Sequence, residues 1–202
     1  MSTPTSSFDV AVIGGGPAGL SAALVLARAR RSVVVIDAGR PRNAPASRMH
    51  GFLSRDGMAP AELLAAGRDE VARYGGELVT DTVAGLMTSA NGRFGLLLGS
   101  GRGLAARRLL VTTGLTDRVP DLPGVAERWG KDLLHCPYCH GHEVRDQPLG
   151  VLGGTPGAVA HAQLVRQWSD DVVFFAHTTR LTDVDRKSTR LNSSHTDISR
   201  MP

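Results

Sequence analysis

Hydrophobic and polar positions follow the same order in two separate parts of the chain. Residues 9–13 form a short apolar run, a glycine-rich turn follows, residues 17–30 have an Ala/Leu-rich helical pattern, and residues 32–37 form a β-branched run. This order predicts strand, turn, helix and strand, which together make one βαβ unit. A second unit, about 140 residues later, is predicted from the same order of strand, glycine turn, helix and strand at 149–153, 158–168 and 171–176.

The segment between these two units predicts further elements of an α/β fold. Its pattern favours a helix at 60–74, a strand at 77–83 and another buried strand at 109–114. Between residues 84 and 103, short apolar runs are separated by Asn91-Gly92, and an Asn-Gly pair in that setting is a strong hairpin signal. We therefore predict a small antiparallel meander in the first half of the chain.

Composition narrows the class of protein. The 202 residues are 42% hydrophobic, enough for a packed core, and two cysteines exclude a disulfide-rich scaffold. The chain carries 23 Lys+Arg and 19 Asp+Glu, a formal net charge of +4, with a pI near 9.7. A basic balance favours an anionic partner, but aromatic residues make up only 4% of the chain, which disfavours stacking on nucleic acid.

Residues 186–202 differ from the rest of the chain. They contain four serines in 17 residues, against ten in the preceding 185, and show no apolar period. They also carry four basic residues and one acidic residue, which leaves 19 basic and 18 acidic residues in 1–185. We expect this tail to be a non-native segment at the end of an assembled reading frame, so that the basic balance disappears and no nucleic-acid partner is predicted.

The N-terminal part of the chain predicts neither a secretory signal nor a membrane span. No charged region precedes the first apolar run. Residues 10–27 are free of charge, but their clustered glycines and a proline would break a spanning helix near its middle. We expect a cytoplasmic protein with no membrane partner.

A glycine-rich turn carries the first candidate site. Gly14, Gly16 and Gly19 fit the G-x-G-x-x-G pattern, in which the glycines allow a tight turn, backbone approach to a pyrophosphate and close packing of helix on strand. The pattern follows a predicted strand and opens a predicted helix, and the next strand ends in Asp37, where an acceptor for ribose hydroxyls belongs. We predict a dinucleotide site there, and Asp37 disfavours a 2′-phosphate without separating FAD from NAD.

A close cysteine pair carries the second candidate site. Cys136 and Cys139 are separated by two residues, so they can form a disulfide across one turn and act as a redox dithiol. Zinc binding is an alternative, although structural zinc sites use four ligands and the chain has no second cysteine pair. Covalent haem formally fits C-x-x-C-H but needs an export route, and two incidental thiols are the remaining interpretation. No metal ligand is predicted.

The dithiol lies between two predicted nucleotide-binding units, which suggests electron transfer between a flavin and the Cys136–Cys139 disulfide. His140 directly follows the pair and is a candidate acid/base for the thiol protons, because imidazole as a group exchanges protons near neutral pH. His142 is interpreted as a solvated loop histidine. A non-catalytic nucleotide-binding or zinc-binding module is the alternative from another class.

Several motifs together resemble the thioredoxin-reductase-like flavoproteins. They are GGGPAG at 14–19, TTG at 112–114 and the C-x-x-C ahead of the second unit. HGFLSRDG at 50–57 and HCPYCHGHEVRDQ at 135–147 are closer to the branch that groups bacterial FAD-dependent oxidoreductases with the dithiol oxidases of gliotoxin- and holomycin-type products. The resemblance covers about residues 8–184.

The resemblance implies FAD as cofactor and an α/β fold of two Rossmann-like three-layer ββα/βαβ domains, both incomplete. It implies an FAD-binding domain at 1–117 that lacks its C-terminal return segment, a truncated NAD(P)-type domain with the C-x-x-C at 118–185, and the tail at 186–202. It also implies Cys136 and Cys139 as the catalytic redox pair, beside which His140 is the candidate acid/base. The cofactor-binding residues that it implies are Gly14, Gly16, Pro17, Ala18, Gly19, Asp37, Val83, Thr113 and Gly114.

The chain departs from the family pattern in three places. His140 stands where thioredoxin reductases carry an acid, which favours the dithiol-oxidase branch and disfavours thioredoxin as substrate. In the second loop, Thr155 replaces a glycine, so NAD(P)H binding there stays open; its candidate residues are Gly153, Gly154, Gly157 and Ala158. The return segment over the flavin phosphates has no match in 186–202, so we expect weak FAD binding and an inactive fragment.

The function expected from the sequence is an FAD-dependent disulfide oxidoreductase, with NAD(P)H as a candidate electron donor. The alternative within this class is an oxygen-dependent dithiol oxidase that forms disulfides in small molecules. The expected substrate is therefore a protein disulfide or a small dithiol, and the expected assembly is a homodimer.

Overall fold

The computed structural model describes residues 6–89 and 92–180. The chain divides into two compact units between Leu133 and Leu134. The division lies C-terminal to residue 117, where the sequence analysis placed the end of the first domain. Asn91 of the predicted hairpin and the tail at 186–202 lie outside the described residues.

The first unit contains a mixed sheet and the helices around it. Its strands are β1 (Ser6–Ile13), β2 (Val33–Asp37), β3 (Glu77–Thr80), β4 (Val83–Thr88), β5 (Phe94–Leu98) and β6 (Gly103–Val111), and its helices are α1 (Pro17–Arg28), α2 (Pro60–Arg73) and α3 (Val125–Arg128). The strand order is β3-β2-β1-β6-β5-β4. β1 pairs in parallel with both β2 and β6, β2 pairs in parallel with β3, and β4, β5 and β6 form the antiparallel meander.

Strand β2 is buried on both faces, and this arrangement produces three layers. Because successive side chains of a strand point to opposite faces, Val33 and Val35 lie on one face and Val34 and Ile36 on the other. The first pair packs in a cluster with α1 and α2, which contribute Leu20, Ala23, Leu64 and Val71. The second pair packs in a cluster with the meander, which contributes Leu96, Leu98, Leu104 and Ala106. The three-layer ββα architecture is therefore confirmed.

Strand β6 differs from the prediction. The sequence suggested that the meander ends near residue 103 and that a separate strand covers 109–114, but one continuous strand runs over Gly103–Val111. It pairs with β5 over its first residues, as in Leu104 with Leu96, and with β1 along most of its length, as in Val111 with Ile13. The sequence predicted two strands because a local pattern does not show which other strands a segment pairs with.

The predicted strand at 77–83 is two strands in the structure. Between β3 and β4, the backbone N–H of Asp81 donates to the carbonyl of Asp37 at 3.0 Å, and the Asp81 carboxylate accepts the N–H of Thr82 at 2.7 Å. Hydrogen bonds from the Ser100 hydroxyl and the Thr82 N–H lower the pKa of Asp81 below its usual value of 3.8. The contribution of this carboxylate to stability is therefore present above about pH 3.8 and is lost as the pH falls below it.

The second unit contains a smaller βαβ arrangement. Its described elements are α4 (Pro137–His140), β7 (Leu149–Leu152), α5 (Ala158–Val165) and β8 (Val172–Phe175). β7 and β8 pair in parallel, and Val151, Ala162, Val165 and Val172 form their core with α5. The second βαβ unit is thus confirmed, although α5 ends at Val165, before the predicted end at residue 168. No helix in the described part of the chain is both long and apolar enough to cross a membrane.

The ends of β1 and β6 are joined by Thr112, which directly follows β6. Its backbone N–H donates to the carbonyl of Ile13 at 2.8 Å, and its hydroxyl lies 2.8 Å from the carbonyl of Gly14 and 3.1 Å from that of Ile13. The side chain is half-buried at this junction. Thr112 therefore fixes the start of the glycine-rich turn to the central strand β6.

We expect Thr112→Val to destabilise the first unit by about 1–2 kcal/mol, because it removes the hydroxyl donor and leaves the Gly14 carbonyl without it. Valine keeps the shape of the side chain, so packing is retained. Urea denaturation followed by circular dichroism measures the change, with Thr112→Ser as the matched control that keeps the hydroxyl. Equal stability of the valine and serine variants would contradict the role assigned to this hydrogen bond.

Candidate functional site

The glycine-rich turn between β1 and α1 is held by contacts that exclude side chains. Gly14 has a φ of +108° and its N–H donates to the carbonyl of Ile36 at 2.8 Å. A Cβ at Gly14 would overlap the Thr112 carbonyl, and a Cβ at Gly19 would overlap the Gly14 carbonyl and the Thr112 hydroxyl. Both glycines are thus required for α1 to pack closely on the ends of β1 and β6.

Gly16 differs from its neighbours, because no protein atom lies within 4 Å of the Cβ position that it lacks. Its φ of −73° and ψ of −178° are ordinary extended values, so its own backbone does not require glycine. It is the N-cap of α1, and the exposed Pro17 and Ala18 form the first helical positions. The open side of Gly16 and the N–H groups of this first turn fit the approach of a dinucleotide pyrophosphate.

Asp37 ends β2 beside the same turn. A Cβ at Gly15 would lie 2.8 Å from the Asp37 Cβ, so the acidic side chain lies directly against the turn. β1, β2 and β3 are parallel, and their carboxyl ends therefore meet at one edge of the sheet, where nucleotides bind in such folds. The structure thus brings Asp37 and the glycine-rich turn together, as the dinucleotide interpretation requires.

A cavity of about 280 Å³ opens at this edge. It is lined by Gly15, Leu20, Val35, Asp37, Gly39, Arg68, Leu78, Val79 and Thr80. Apolar side chains from the strands and from α1 form much of the wall, and the polar groups come from Asp37, Arg68 and Thr80. A mostly apolar pocket with a few convergent polar groups is typical of a small-molecule site.

Thr113 and Gly114 follow β6 and Thr112, so they lie at the same edge of the sheet as the turn after β1. Both are exposed, and Gly114 has a φ of +70°. The segment that follows is tied to the loop after β2 by a two-pronged ion pair, in which Arg42 donates to Asp117 at 2.8 and 2.6 Å. This hydrogen bond with Asp117 raises the pKa of Arg42.

Val83 is the first residue of β4 and is not on the strand that follows α2, which is where the sequence placed it. It packs against the cluster between the sheet and the meander. It follows Asp81, whose N–H donates to the carbonyl of Asp37, so this segment runs close to the end of β2. A contact from the Val83 backbone to adenine stays a prediction.

The second glycine-rich loop joins β7 to α5. Gly154 has a φ of +135°, and its N–H donates to the Thr179 hydroxyl at 2.7 Å. A Cβ at Gly153 would overlap the Ala176 carbonyl. Thr155 is exposed where Gly16 is open in the first loop, and Gly157 is the N-cap of α5, which begins at Ala158. The four candidate residues, Gly153, Gly154, Gly157 and Ala158, thus lie in one loop, but Thr155 adds an exposed side chain to it.

Cys136 and Cys139 form a disulfide with their Cα atoms 5.3 Å apart. Cys136 is the N-cap of α4, the single helical turn Pro137–His140, and Cys139 lies inside that turn. The Cys139 N–H donates to the Cys136 carbonyl at 3.2 Å. The bonded pair matches the redox interpretation, and the described residues contain no group of three or more His, Cys, Asp or Glu side chains placed to hold a metal ion.

The turn that carries the disulfide rests on Trp168. The Tyr138 ring meets the Trp168 ring edge-on with centroids 5.2 Å apart. A Cβ at Gly141 would lie 2.8 Å from the Trp168 ring, so the glycine allows the backbone to contact the indole. His140 is partly buried at the end of α4, whereas His142 is exposed and its Nε2 lies 3.2 Å from Arg145 Nη1, in agreement with a solvated loop histidine.

Sequence reasoning missed several residues of these sites. Thr112 was quoted only as part of a motif, and Arg68, Thr80 and Trp168 were not singled out at all. Arg68 lies on α2, and Trp168 lies beyond the end of α5. Nothing in the local sequence pattern identifies either residue as part of a site. Only Thr112 had a signal in the sequence, its place directly before Thr113 and Gly114. A threonine hydroxyl beside a tight glycine turn can donate hydrogen bonds to the carbonyl groups of that turn.

Comparisons with known proteins agree with this geometry. A family model described as pyridine nucleotide-disulphide oxidoreductase matches residues 8–195. Thioredoxin reductase tcpT of Claviceps purpurea (strain 20.1) is 43% identical over 160 residues, which cover 77% of this chain and 49% of tcpT. The chain spans about half the length of the curated relatives it matches.

Two solved structures share the fold closely. The crystal structure of HlmI matches with a TM-score of 0.87 and 61% identity, over 90% of this chain and 58% of HlmI. The putative thioredoxin reductase TrxB from Bacillus anthracis matches with a TM-score of 0.86 and 36% identity, over 89% of this chain and 61% of TrxB. With the glycine-rich turn, the three-layer sheet and the bonded cysteine pair in place, these matches show that the chain belongs to the pyridine nucleotide-disulphide oxidoreductase family.

Proposed function

We propose that the protein is an FAD-dependent disulfide oxidoreductase that passes electrons between a flavin and the Cys136–Cys139 pair. The observation that carries the proposal is the disulfide across the single turn α4. Its support is the dinucleotide-type turn in the first unit and the similarity to proteins named thioredoxin reductase.

The residues of the first unit fit FAD. Gly16 is the N-cap of α1, and the N–H groups of the first helical turn, such as those of Ala18 and Gly19, are the donors that would hold a pyrophosphate. Asp37 would accept hydrogen bonds from the ribose hydroxyls. Thr113 and Gly114 lie at the same edge of the sheet. When bound, FAD would supply the electron pair that the Cys136–Cys139 disulfide needs for its reduction, or accept the pair that the dithiol gives up.

The dithiol requires both electrons and protons. Reduction of the Cys136–Cys139 bond takes two electrons and two protons and releases two thiols, and oxidation returns them. His140 ends the same helical turn and is partly buried, so we assign it the exchange of protons with the thiols. Imidazole as a group can both accept and donate a proton near neutral pH, which suits this exchange.

Two substrate classes follow from the dithiol, a protein disulfide and a small dithiol. His140 in place of an acid favours a small dithiol with oxygen as final acceptor, whereas the second glycine-rich loop favours NAD(P)H as donor and a disulfide as acceptor. A homodimer in the cytoplasm is the expected setting for either direction.

We expect Gly16→Ala to weaken FAD binding by about tenfold or more while leaving the fold intact. The added methyl group meets no protein atom and suits the backbone angles, but it would occupy the side from which the pyrophosphate approaches. Flavin fluorescence titration measures binding, and thermal unfolding without cofactor measures the fold. Gly103→Ala is the matched control, because its Cβ also meets no protein atom and it lies outside the site. Unchanged FAD affinity in Gly16→Ala would refute the proposed approach.

We expect Cys139→Ser to abolish disulfide turnover without loss of the fold. Intact mass should show a difference of two hydrogen atoms between oxidised and reduced wild type, about 2 Da for the one bond that reduction breaks, and no such difference in the variant. A zinc module behaves differently, because loss of a ligand releases metal and destabilises the fold. Metal analysis of the purified wild type with thermal unfolding of the variant separates the two, and bound zinc lost together with the fold would overturn the redox proposal.

The direction of electron flow has its own assay. If NAD(P)H is the donor, anaerobic addition of NADPH or NADH should generate two new thiols per chain in the FAD-loaded protein. If a small dithiol is the donor, dithiothreitol under air should instead give oxygen uptake without nicotinamide. We expect the first result for a disulfide reductase and the second for a dithiol oxidase, and Cys136→Ser should abolish either one. Because the chain spans about half the length of its curated relatives, both assays use the full-length protein, and absence of both activities in its FAD-loaded form would contradict the proposed function.

A further inference from the structure

Opposite charges line the cavity at the end of β2 without pairing. Asp37 and Arg68 both contribute to its wall. Within the described residues, neither side chain makes a hydrogen bond or an ion pair, with the other or with any further residue. Arg68 is a partly buried residue of the cavity wall, so a ligand in the cavity can supply the partner that its guanidinium lacks.

The packing of α2 on α1 explains why Arg68 reaches this cavity. Gly67, the residue before it, lies so close to Leu20 of α1 that a Cβ there would be 3.1 Å from the Leu20 side chain. Leu20 is buried and itself forms part of the cavity wall. The close approach at Gly67 therefore brings the next residue of α2 to the edge of the cavity, across from the end of β2.

The remaining wall is apolar, and this limits the part of a ligand that can lie there. Leu20, Val35, Leu78 and Val79 suit a flat ring with little charge. A phosphate group in the same cavity would lie beside the Asp37 carboxylate, which repels it. A purine joined to a ribose satisfies both charges, because the ribose hydroxyls donate to the carboxylate and the ring offers a π face to the guanidinium.

We infer that Arg68 is a cofactor-binding residue that stacks on the adenine ring of the bound dinucleotide and so selects adenine at this end of the cofactor. The inference rests on the proposed function, because it takes FAD as the ligand of the first unit. It adds a contact from α2 to a site whose other residues come from the glycine-rich turn and the strand ends.

The test compares Arg68→Met with Arg73→Met. Both variants remove one positive charge from α2, but Arg73 is exposed in the last helical turn and does not line the cavity. Dissociation constants are measured by calorimetry for FAD, ADP and UDP, and thermal unfolding without ligand reports the fold. UDP keeps the ribose and phosphates of ADP but carries a smaller, weaker stacking ring.

We expect Arg68→Met to weaken FAD and ADP binding by about fivefold, the range of a partly desolvated cation–π contact, and to weaken UDP binding less. Arg73→Met should bind all three like wild type. Arg68→Lys should recover only part of the loss, because an ammonium cannot stack as a guanidinium does. If Arg68→Met unfolds at a lower temperature than wild type, Arg68→Lys replaces it in the comparison with Arg73→Met.

Three results would overturn the inference. Equal loss of ADP and UDP affinity, or full recovery by Arg68→Lys, would assign Arg68 to a phosphate or ribose. If Arg68→Met binds ADP as tightly as the wild type does, Arg68 makes no contact with the ligand. These results leave FAD binding by the wild type intact and are thus distinct from failure of the proposed function, in which the wild type binds neither FAD nor ADP.

Discussion

The close approach of three backbone segments at the end of β1 is the constraint on which the first unit depends. Gly14, Gly19 and Thr112 come so near one another that a side chain on either glycine would overlap main-chain atoms. This contact joins the central strands to the first turn of α1, whose N-cap, Gly16, is open on its outer side. The packing of α1 and the proposed binding of a pyrophosphate therefore depend on the same few atoms.

The sheet transmits this constraint to the rest of the unit. β2 is buried on both faces, so a shift of one residue would exchange the side chains that pack on the helices with those that pack on the meander. The register is thus strongly fixed, and Asp37 at its end has a defined position beside Gly15. A ribose acceptor on a mobile loop would not be held so firmly.

Local patterns predicted much of this fold, and tertiary contacts account for what they missed. The βαβ units and the meander follow from periods of 3.6 and 2 residues and from glycine turns, which act over short distances along the chain. The continuous strand β6 was divided because its neighbours β1 and β5 come from distant segments. Arg68 was missed for the same reason, since its place at the cavity depends on how Gly67 meets Leu20 on another helix.

The two glycine-rich loops share contacts at the strand end but differ in backbone conformation, because the left-handed φ falls on the first glycine, Gly14, in one and on the second, Gly154, in the other. In both, a glycine after the strand lies against the main chain of a neighbouring segment, and a threonine hydroxyl bonds to the loop: Thr112 to the first, Thr179 to the second. Gly16 leaves the first loop open, whereas the corresponding Thr155 places a side chain there. A pyrophosphate binds through close backbone contact, so this difference supports the dinucleotide site proposed for the first loop. The redox chemistry proposed for the second unit rests on the disulfide of α4, which needs no such approach.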